Sequence, residues 1–196
     1  MSSSSSNGPA RTAERGIRVT LVAVFLVGVH RRNWSAAVNA VLSLAGTFLP
    51  PVLESRYGVE FLPWQRLYTG SAMVTHAVGM LGPYDDVWWW DHLTHTHSAT
   101  LLGGLVHVVT RRRGNDPTAT VMGAVGLAGI VWEIGEYGIH SVADALDVEP
   151  MLRTYGRTDT LLDLCFNLVG ALVVLAVGDE YLENFIDRDE SRRDDR

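Results

Sequence analysis

The 196-residue sequence contains no lysine and a single cysteine, Cys165. One cysteine excludes an internal disulfide and any metal site built from several thiolates. All 16 basic residues are therefore arginines, and 22 acidic residues outnumber them, for a formal net charge of -6. A negative total argues against nucleic acid as a partner. No serine or cysteine stands beside a convincing base in the sequence, so no motif indicates covalent catalysis.

Charged residues are scarce in the middle of the chain, where long stretches carry almost none. The charges collect near the two ends and in short loops, which is typical of a small polytopic membrane protein. We predict an all-α fold, a polytopic transmembrane helix bundle of about six spans over residues 14–178. The Ser-rich residues 1–13 are expected to be disordered, and residues 179–196 to form a charged cytosolic tail.

The predicted spans follow the apolar stretches and the breaks between them. The tryptophan triplet Trp88–Trp90 precedes the fourth span and is typical of a lipid–water boundary. The expected spans are residues 14–29, 34–53 (ended by Pro50-Pro51), 64–81, a fourth that ends at Thr110, 118–139 and 159–177.

Arginines in the short loops indicate the orientation of the bundle. With the N-terminus inside, the inner loops hold most arginines, including the run Arg111–Arg113. The outer loops then hold only four, which are Arg31, Arg32, Arg153 and Arg157. The positive-inside rule predicts a multi-pass protein of the cell membrane with both termini in the cytoplasm. Membrane lipids are the expected partners, and a homo-oligomer is left open.

Three polar groups interrupt the last three spans: Asp91–His97, Trp132–Glu136 and Asp159–Asn167. Ionisable side chains are costly in lipid, so they usually face the bundle interior and one another. The predicted topology places all three groups in the outer half of the membrane. Within each group the polar residues recur every three or four positions, so each set lies on one face of its helix.

This polar layer has two interpretations. It is a packing network, with His95 donating to Glu136 or Asp163, or it is a site. Carboxylates and imidazoles bind divalent cations such as Zn²⁺ or Mn²⁺, and many acids in one layer repel one another unless some are protonated or a cation is bound. The expected metal ligands are His95, Glu136, Asp163, Asp159 and His140. Asp91 or Glu133 is the expected catalytic base, whereas His92 and His97 lie off this face and are interpreted as packing residues.

These motifs resemble a known family. Asp91-x3-His95, then Trp132-Glu133-Ile134-Gly135-Glu136-Tyr137, then Thr158-Asp159-Thr160-x2-Asp163-x3-Asn167-x2-Gly170-Ala171 are similar, in order and separation, to YjdF-like integral membrane proteins, a family of unknown function. The general plan has a more distant similarity to VanZ-like proteins, which are associated with glycopeptide resistance. The resemblance implies a multi-helix membrane protein with functional Asp, His and Glu residues, and it supplies no activity.

The leading functional hypothesis is a pocket in the outer half of the bilayer that binds a divalent metal ion. It would act on a lipid headgroup or a lipid-linked substrate, by hydrolysis through a metal-activated water. One alternative is a small proton- or cation-coupled transporter, although the inner halves of the last three spans are apolar except for His107. The other is a structural membrane protein whose polar residues only fix helix packing. Whether the protein is an enzyme stays open.

Overall fold

The computed structural model describes residues 7–148, 150 and 156–187, and these residues contain helices and no strand, which confirms the expected all-α fold. The chain divides into two units, unit 1 (Met1–Trp90) and unit 2 (Asp91–Arg196), which are described one at a time. Unit 1 contains α1 (Asn7–His30), α2 (Trp34–Gly46), α3 (Leu49–Tyr57), α4 (Pro63–Gly79) and α5 (Pro83–Asp86). Unit 2 contains α6, which begins at Trp90 (Trp90–Arg112), α7 (Thr118–Ala145), α8 (Arg157–Tyr181) and α9 (Glu183–Ile186).

Three helical stretches among the described residues are long and apolar enough to cross a membrane. They are Trp34–Tyr57, which comprises α2 and α3, and then Thr118–Ala145 and Arg157–Tyr181. These stretches correspond to the second, fifth and sixth spans expected from the sequence. The total of six spans stays a prediction.

Several helix ends differ from those expected. The first helix begins at Asn7 rather than at residue 14, while residues 1–6 of the segment expected to be disordered lie outside the described residues. The pair Pro50-Pro51 does not end the second span, because it lies in the first turn of α3, where a missing N–H group costs no helical hydrogen bond. Helix α7 continues beyond residue 139 to Ala145. Helix α8 runs to Tyr181, into the expected tail, of which residues 188–196 lie outside the described residues.

In unit 1, helices α1, α2 and α4 pack around a small apolar core. Its buried members are Leu21, Val24, Ala40 and Ala77. Asn33 connects the helix ends: its side chain accepts a hydrogen bond from the Ala36 N–H at the start of α2, and its amide donates to the Met80 carbonyl after α4, both at 2.9 Å. This side chain therefore satisfies backbone groups that the helix termini leave unpaired.

In unit 2, helices α6, α7 and α8 pack around Ala99, Val121, Val125 and Ala171. Helix α8 packs closely against α6 at Gly170, where an added Cβ atom would lie 2.7 Å from the Ala99 Cβ and 2.8 Å from the Thr96 carbonyl oxygen. Small residues at such a crossing allow close contact between helices in lipid. Large apolar side chains on the outer faces of α7 and α8 are mostly exposed, as expected for contact with lipid.

Gly170→Ala is expected to lower the free energy of unfolding by about 1–3 kcal/mol, because the added methyl group must push α8 away from α6. Gly123→Ala on α7 is the matched control, since a Cβ atom there meets nothing within 4 Å. The control is expected to be neutral or to gain up to about 1 kcal/mol from helix propensity. Unfolding of both variants in mild detergent, titrated with a denaturing detergent and followed by circular dichroism, measures the difference. Equal stability of the two variants would contradict the close crossing.

Candidate functional site

Asp163 on α8 is the centre of the polar site in unit 2, with 1% of its surface exposed. Its Oδ1 atom lies 3.2 Å from Nδ1 of His92 and 3.8 Å from Nε2 of His95, both on α6. The same Nε2 atom of His95 lies 3.6 Å from Oδ1 of Asp91, one turn earlier on that helix. A buried carboxylate in apolar surroundings thus meets two imidazoles, the kind of pairing that buried charge requires.

The first turns of α6 and α8 bring these side chains together. Thr96 holds the two helices near the site, since its hydroxyl group hydrogen-bonds to the His92 carbonyl at 2.9 Å and to the Phe166 carbonyl at 3.3 Å. The ring of His92 stacks on the Phe166 ring, with centroids 4.6 Å apart and planes 2° from parallel. Phe166 follows Asp163 by three residues and lies on the same face of α8. The stack therefore orients His92 toward the carboxylate.

Asp91, His95 and Asp163 form the candidate metal group of unit 2. Each offers one ligand atom, and the three atoms lie within 4.8 Å of one another. In a tetrahedral site with bonds of about 2.1 Å, ligand atoms are about 3.4 Å apart. The distances from His95 to the two carboxylates, 3.6 and 3.8 Å, are close to that value. Two carboxylates and one imidazole are donors that suit Zn²⁺ or Mn²⁺, so the residues fit such an ion.

Glu133 on α7 and Asp159 on α8 add two acids to the surroundings of this group. Glu133 hydrogen-bonds to the Thr160 side chain and interacts electrostatically with His95, Asp91 and Asp159. Its Oε1 atom is buried, with no hydrogen-bond partner in the part of the chain that the structure describes. Asp159 interacts with Asp91 and both histidines. Helices α6, α7 and α8 therefore contribute acids to one region.

Two of the expected ligands lie outside the metal group. Glu136 accepts a hydrogen bond at 2.9 Å from the indole N–H of Trp132, one turn earlier on α7. The Nε2 atom of His140 lies 3.6 Å from Oδ2 of Asp144, one turn later. The closest polar contact of each of these residues therefore lies on its own helix. Of the five expected ligands, His95 and Asp163 belong to the group, and Asp159 and Glu136 are electrostatic neighbours of it.

Two residues take positions that sequence reasoning did not assign. Asp91, expected as a base, supplies one of the grouped ligand atoms. His92, interpreted as a packing residue, is within hydrogen-bonding distance of Asp163. A usable signal for His92 was present in the sequence, since Phe166 lies one turn after Asp163 and offers a ring on which an imidazole can stack.

Asn167 connects the site to α7. Its side chain is buried, and a Cβ atom added at Gly129 would lie 2.7 Å from its Nδ2 atom. The glycine thus admits the amide group against the α7 backbone. Elsewhere on α7, an added Cβ atom at Gly123 or Gly126 meets nothing within 4 Å.

Apolar helices that enclose a buried Asp/His cluster define an all-α integral membrane protein. The family model described as "Predicted membrane protein (DUF2238)" matches residues 13–184, so the chain belongs to this family. The match agrees with the resemblance to YjdF-like integral membrane proteins of unknown function, and the resemblance to VanZ-like proteins is not confirmed. Comparison with curated proteins gives no match, and neither does comparison with solved structures.

His92→Ala is expected to lower the free energy of unfolding by about 2–4 kcal/mol. The substitution removes a buried stacked ring and takes away the closest hydrogen-bonding partner of the Asp163 carboxylate. His140→Ala, a partly exposed histidine with its acid on its own helix, is the matched control and is expected to cost at most about 0.5 kcal/mol. Detergent-titrated unfolding measures both. A loss for His140→Ala as large as that for His92→Ala would mean that His92 is not held as described.

Proposed function

We propose that Asp91, His95 and Asp163 bind one divalent cation, Zn²⁺ or Mn²⁺, and that this pocket acts on a lipid headgroup or a lipid-linked substrate. The observation that carries the proposal is the convergence of two carboxylates and an imidazole within 4.8 Å, around the buried Asp163. Charged groups in an apolar helical unit are costly unless they are paired or coordinate an ion.

The charges around the site support a bound cation. Five carboxylates interact here, those of Asp91, Glu133, Glu136, Asp159 and Asp163. The cationic partners that the described residues offer them are the two imidazoles of His92 and His95. With all five acids ionised and both histidines protonated, the acids exceed the bases by three charges. One divalent cation offsets most of that excess, and in such sites the ion is the largest local charge.

The neighbouring residues have distinct roles in this proposal. His92 hydrogen-bonds to Asp163 and orients its carboxylate, as residues around metal ligands commonly do. Glu133 is the proposed general base, because a buried oxygen of its carboxyl group has no donor among the described residues and is free to accept a proton from water. A bound divalent cation supplies Lewis-acid polarisation of a phosphoryl or carbonyl oxygen.

The depth of the site favours a lipid-derived substrate. Asp91 is the second residue of α6 and Asp163 lies in the second turn of α8, so both are within about 9 Å of a helix start at 1.5 Å per residue. This depth corresponds to the boundary between headgroups and acyl chains rather than to the bilayer centre. A lipid headgroup can reach such a site from within the membrane.

A transport function receives less support from unit 2. His107 is buried and bonds to Asp179, which also pairs with Arg111, but this second polar group lies about 18 Å along α6 from His95. The core between the two groups is built from small and apolar side chains, which include Ala99, Val121, Val125 and Ala171. The described residues of this unit therefore favour an enclosed site over a polar path.

Metal content is the direct test of the proposed site. Protein purified in mild detergent without chelator is expected to carry about one divalent ion per chain, and His95→Ala and Asp163→Asn are expected to lose it. Glu136→Gln is the matched control, because it removes an acid of the same polar region that is bonded to Trp132 and lies outside the metal group. After removal of the ion, Zn²⁺ or Mn²⁺ at about 100 times its Kd is expected to stabilise the wild type by about 2.7 kcal/mol.

Three results would contradict the proposed metal site. A folded wild type that takes up no ion after reloading would overturn the metal site. If His95→Ala and Asp163→Asn lost stability but responded to added ions as the wild type does, the residues would form a packing network only. Loss of the ion from Glu136→Gln as well would point to a ligand set other than the one proposed.

We also propose that both termini face the cytoplasm, which places the Asp163 site in the outer half of the membrane. In a Cys165→Ser background, Asp147→Cys is expected to react with a membrane-impermeant maleimide on intact cells. Arg113→Cys is expected to react only after permeabilisation, because the adjacent arginines favour the inner side. The background change is needed because Cys165 is free and exposed. The opposite labelling pattern would place the site in the inner half.

A further inference from the structure

A second polar pocket lies in unit 1, separate from the Asp163 site and independent of the proposal made for it. It is formed by α1, α3 and α4 together with the end of α2. Charged and apolar side chains share its lining, which includes Glu14, Ile17, Arg18, Pro50, Pro51 and Arg66. The contacts of its two arginines indicate what it binds.

Arg18 on α1 is oriented by an aromatic ring rather than by a close ion pair. Its guanidinium carbon lies 4.4 Å from the centre of the Phe48 ring. The nearest acid, Glu14, is 4.0 Å away, at the limit of an ion pair. The Nε atom of Arg18 is buried and has no hydrogen-bond partner in the described part of the chain. A buried N–H donor without an acceptor is costly, so this group is suited to an acceptor from a ligand.

Arg66 on α4 is held by an acid that leaves part of its guanidinium available. Its Nη2 atom donates to Glu54, at 2.6 Å from Oε1, and the same Oε1 atom accepts the backbone N–H of Phe61 at 2.8 Å. Among the described residues, this ion pair uses Nη2 alone. A guanidinium has five N–H donors in a planar fork, so the pair with Glu54 positions Arg66 without exhausting its donors.

The charges of the pocket balance, which selects the class of ligand. The lining holds two arginines and one glutamate, Glu14, and Arg66 is paired with Glu54, which lies outside the lining. One arginine charge and one glutamate charge then remain, so the pocket does not suit a purely anionic ligand. Arg18 and Arg66 are suited to a phosphate group, which accepts hydrogen bonds from guanidinium groups. Glu14, with only the distant contact to Arg18, is suited to an ammonium group. A ligand that carries both groups a few ångströms apart matches the whole set.

The surroundings of the pocket fit a lipid. Leu49 and Val52, which flank Pro50-Pro51 on α3, are 52% and 54% exposed. Such apolar surface beside a charged pocket fits acyl chains that continue from a headgroup. Arg66 is the fourth residue of α4, about 5 Å from the helix start, near the expected headgroup depth. We propose that Arg18, Arg66 and Glu14, whose side chains are partly exposed, bind at the opening of the pocket the headgroup of a zwitterionic phospholipid that has a phosphate and a primary ammonium.

Lipid retention tests this proposal. The protein is reconstituted with equal amounts of phosphatidylethanolamine, phosphatidylcholine and phosphatidylglycerol that have identical acyl chains, and retained lipids are counted by native mass spectrometry. The wild type is expected to enrich phosphatidylethanolamine about tenfold, the effect of one charge-assisted hydrogen bond. Phosphatidylcholine has no ammonium N–H to donate to Glu14, and phosphatidylglycerol has no cation.

Three variants assign the contacts. Arg18→Gln is expected to lower phosphatidylethanolamine retention about tenfold through loss of the phosphate contact. Glu14→Gln is expected to abolish the preference for phosphatidylethanolamine over phosphatidylglycerol while the protein stays folded, since Glu14 makes only a weak ion pair. Arg15→Gln, an exposed neighbour on α1 outside the pocket, is the matched control and is expected to retain lipid as the wild type does.

Several results would overturn the assignment. Equal retention of the three lipids by the wild type would exclude the headgroup, and an unchanged preference in Glu14→Gln would exclude the ammonium contact. Equal losses in Arg15→Gln and Arg18→Gln would indicate general surface attraction instead of a pocket. Soluble glycerophosphoethanolamine is the last arm: it is expected to compete poorly, and competition as strong as that of the lipid would show that the acyl chains do not contribute.

Discussion

The buried contact between Asp163 and the two histidines of α6 is the constraint on which unit 2 depends. A carboxylate removed from water costs several kcal/mol unless hydrogen bonds and opposite charge offset that cost. His92 and His95 can meet this need only if α6 and α8 keep one register and one separation. The hydrogen bond from Thr96 to the Phe166 carbonyl and the close crossing at Gly170 hold that separation. The burial of the Asp163 carboxylate therefore depends on the packing of α8 against α6.

Lipid tails are as apolar as leucine, so apolar side chains alone do not hold helices together in a membrane. Both units combine close contact at small residues with a few polar ties. In unit 1, an added Cβ atom at Gly28 would lie 2.9 Å from the Ala37 backbone nitrogen, and Asn33 bonds to the ends of α2 and α4. In unit 2, Gly170 and Thr96 have the same two functions. Rigid crossings of this kind can hold a site in place.

The sequence was sufficient to predict the helical class and the convergence of acids from three helices. Long apolar stretches and the spacing of Asp91 and His95 contain that information, since a face of a helix follows from position along the chain. The residue that each side chain contacts was harder to predict. Glu136 and His140 also have helical spacing, but each meets a partner on its own helix, Trp132 and Asp144 respectively. Spacing identifies a face, and it does not identify what that face contacts.

His92 shows the same limit, because its helix face predicted a packing role whereas its ring contacts Asp163. It lies about 100° around α6 from Asp91, so a site restricted to one face would exclude it. The cleft between two helices accepts side chains from a wider arc, and the Phe166 ring on α8 holds His92 there. The helix boundaries show the same limit. From the sequence, Pro50-Pro51 could end one helix or begin another; in the structure a turn at Thr47-Phe48 precedes it, and it lies at the start of α3.

The excess of acid in unit 2 supports the proposed site over a packing network. A network that only fixes helix packing needs one donor for each acceptor, as Asn33 provides in unit 1. The Asp163 region contains five interacting carboxylates and two imidazoles, and a carboxyl oxygen of Glu133 stays without a donor among the described residues. In a medium of low dielectric constant such an excess weakens the folded state, because like charges repel and an unpaired oxygen has lost its water. The proposed cation would lower that cost, and it would give these acids a role that packing alone does not require.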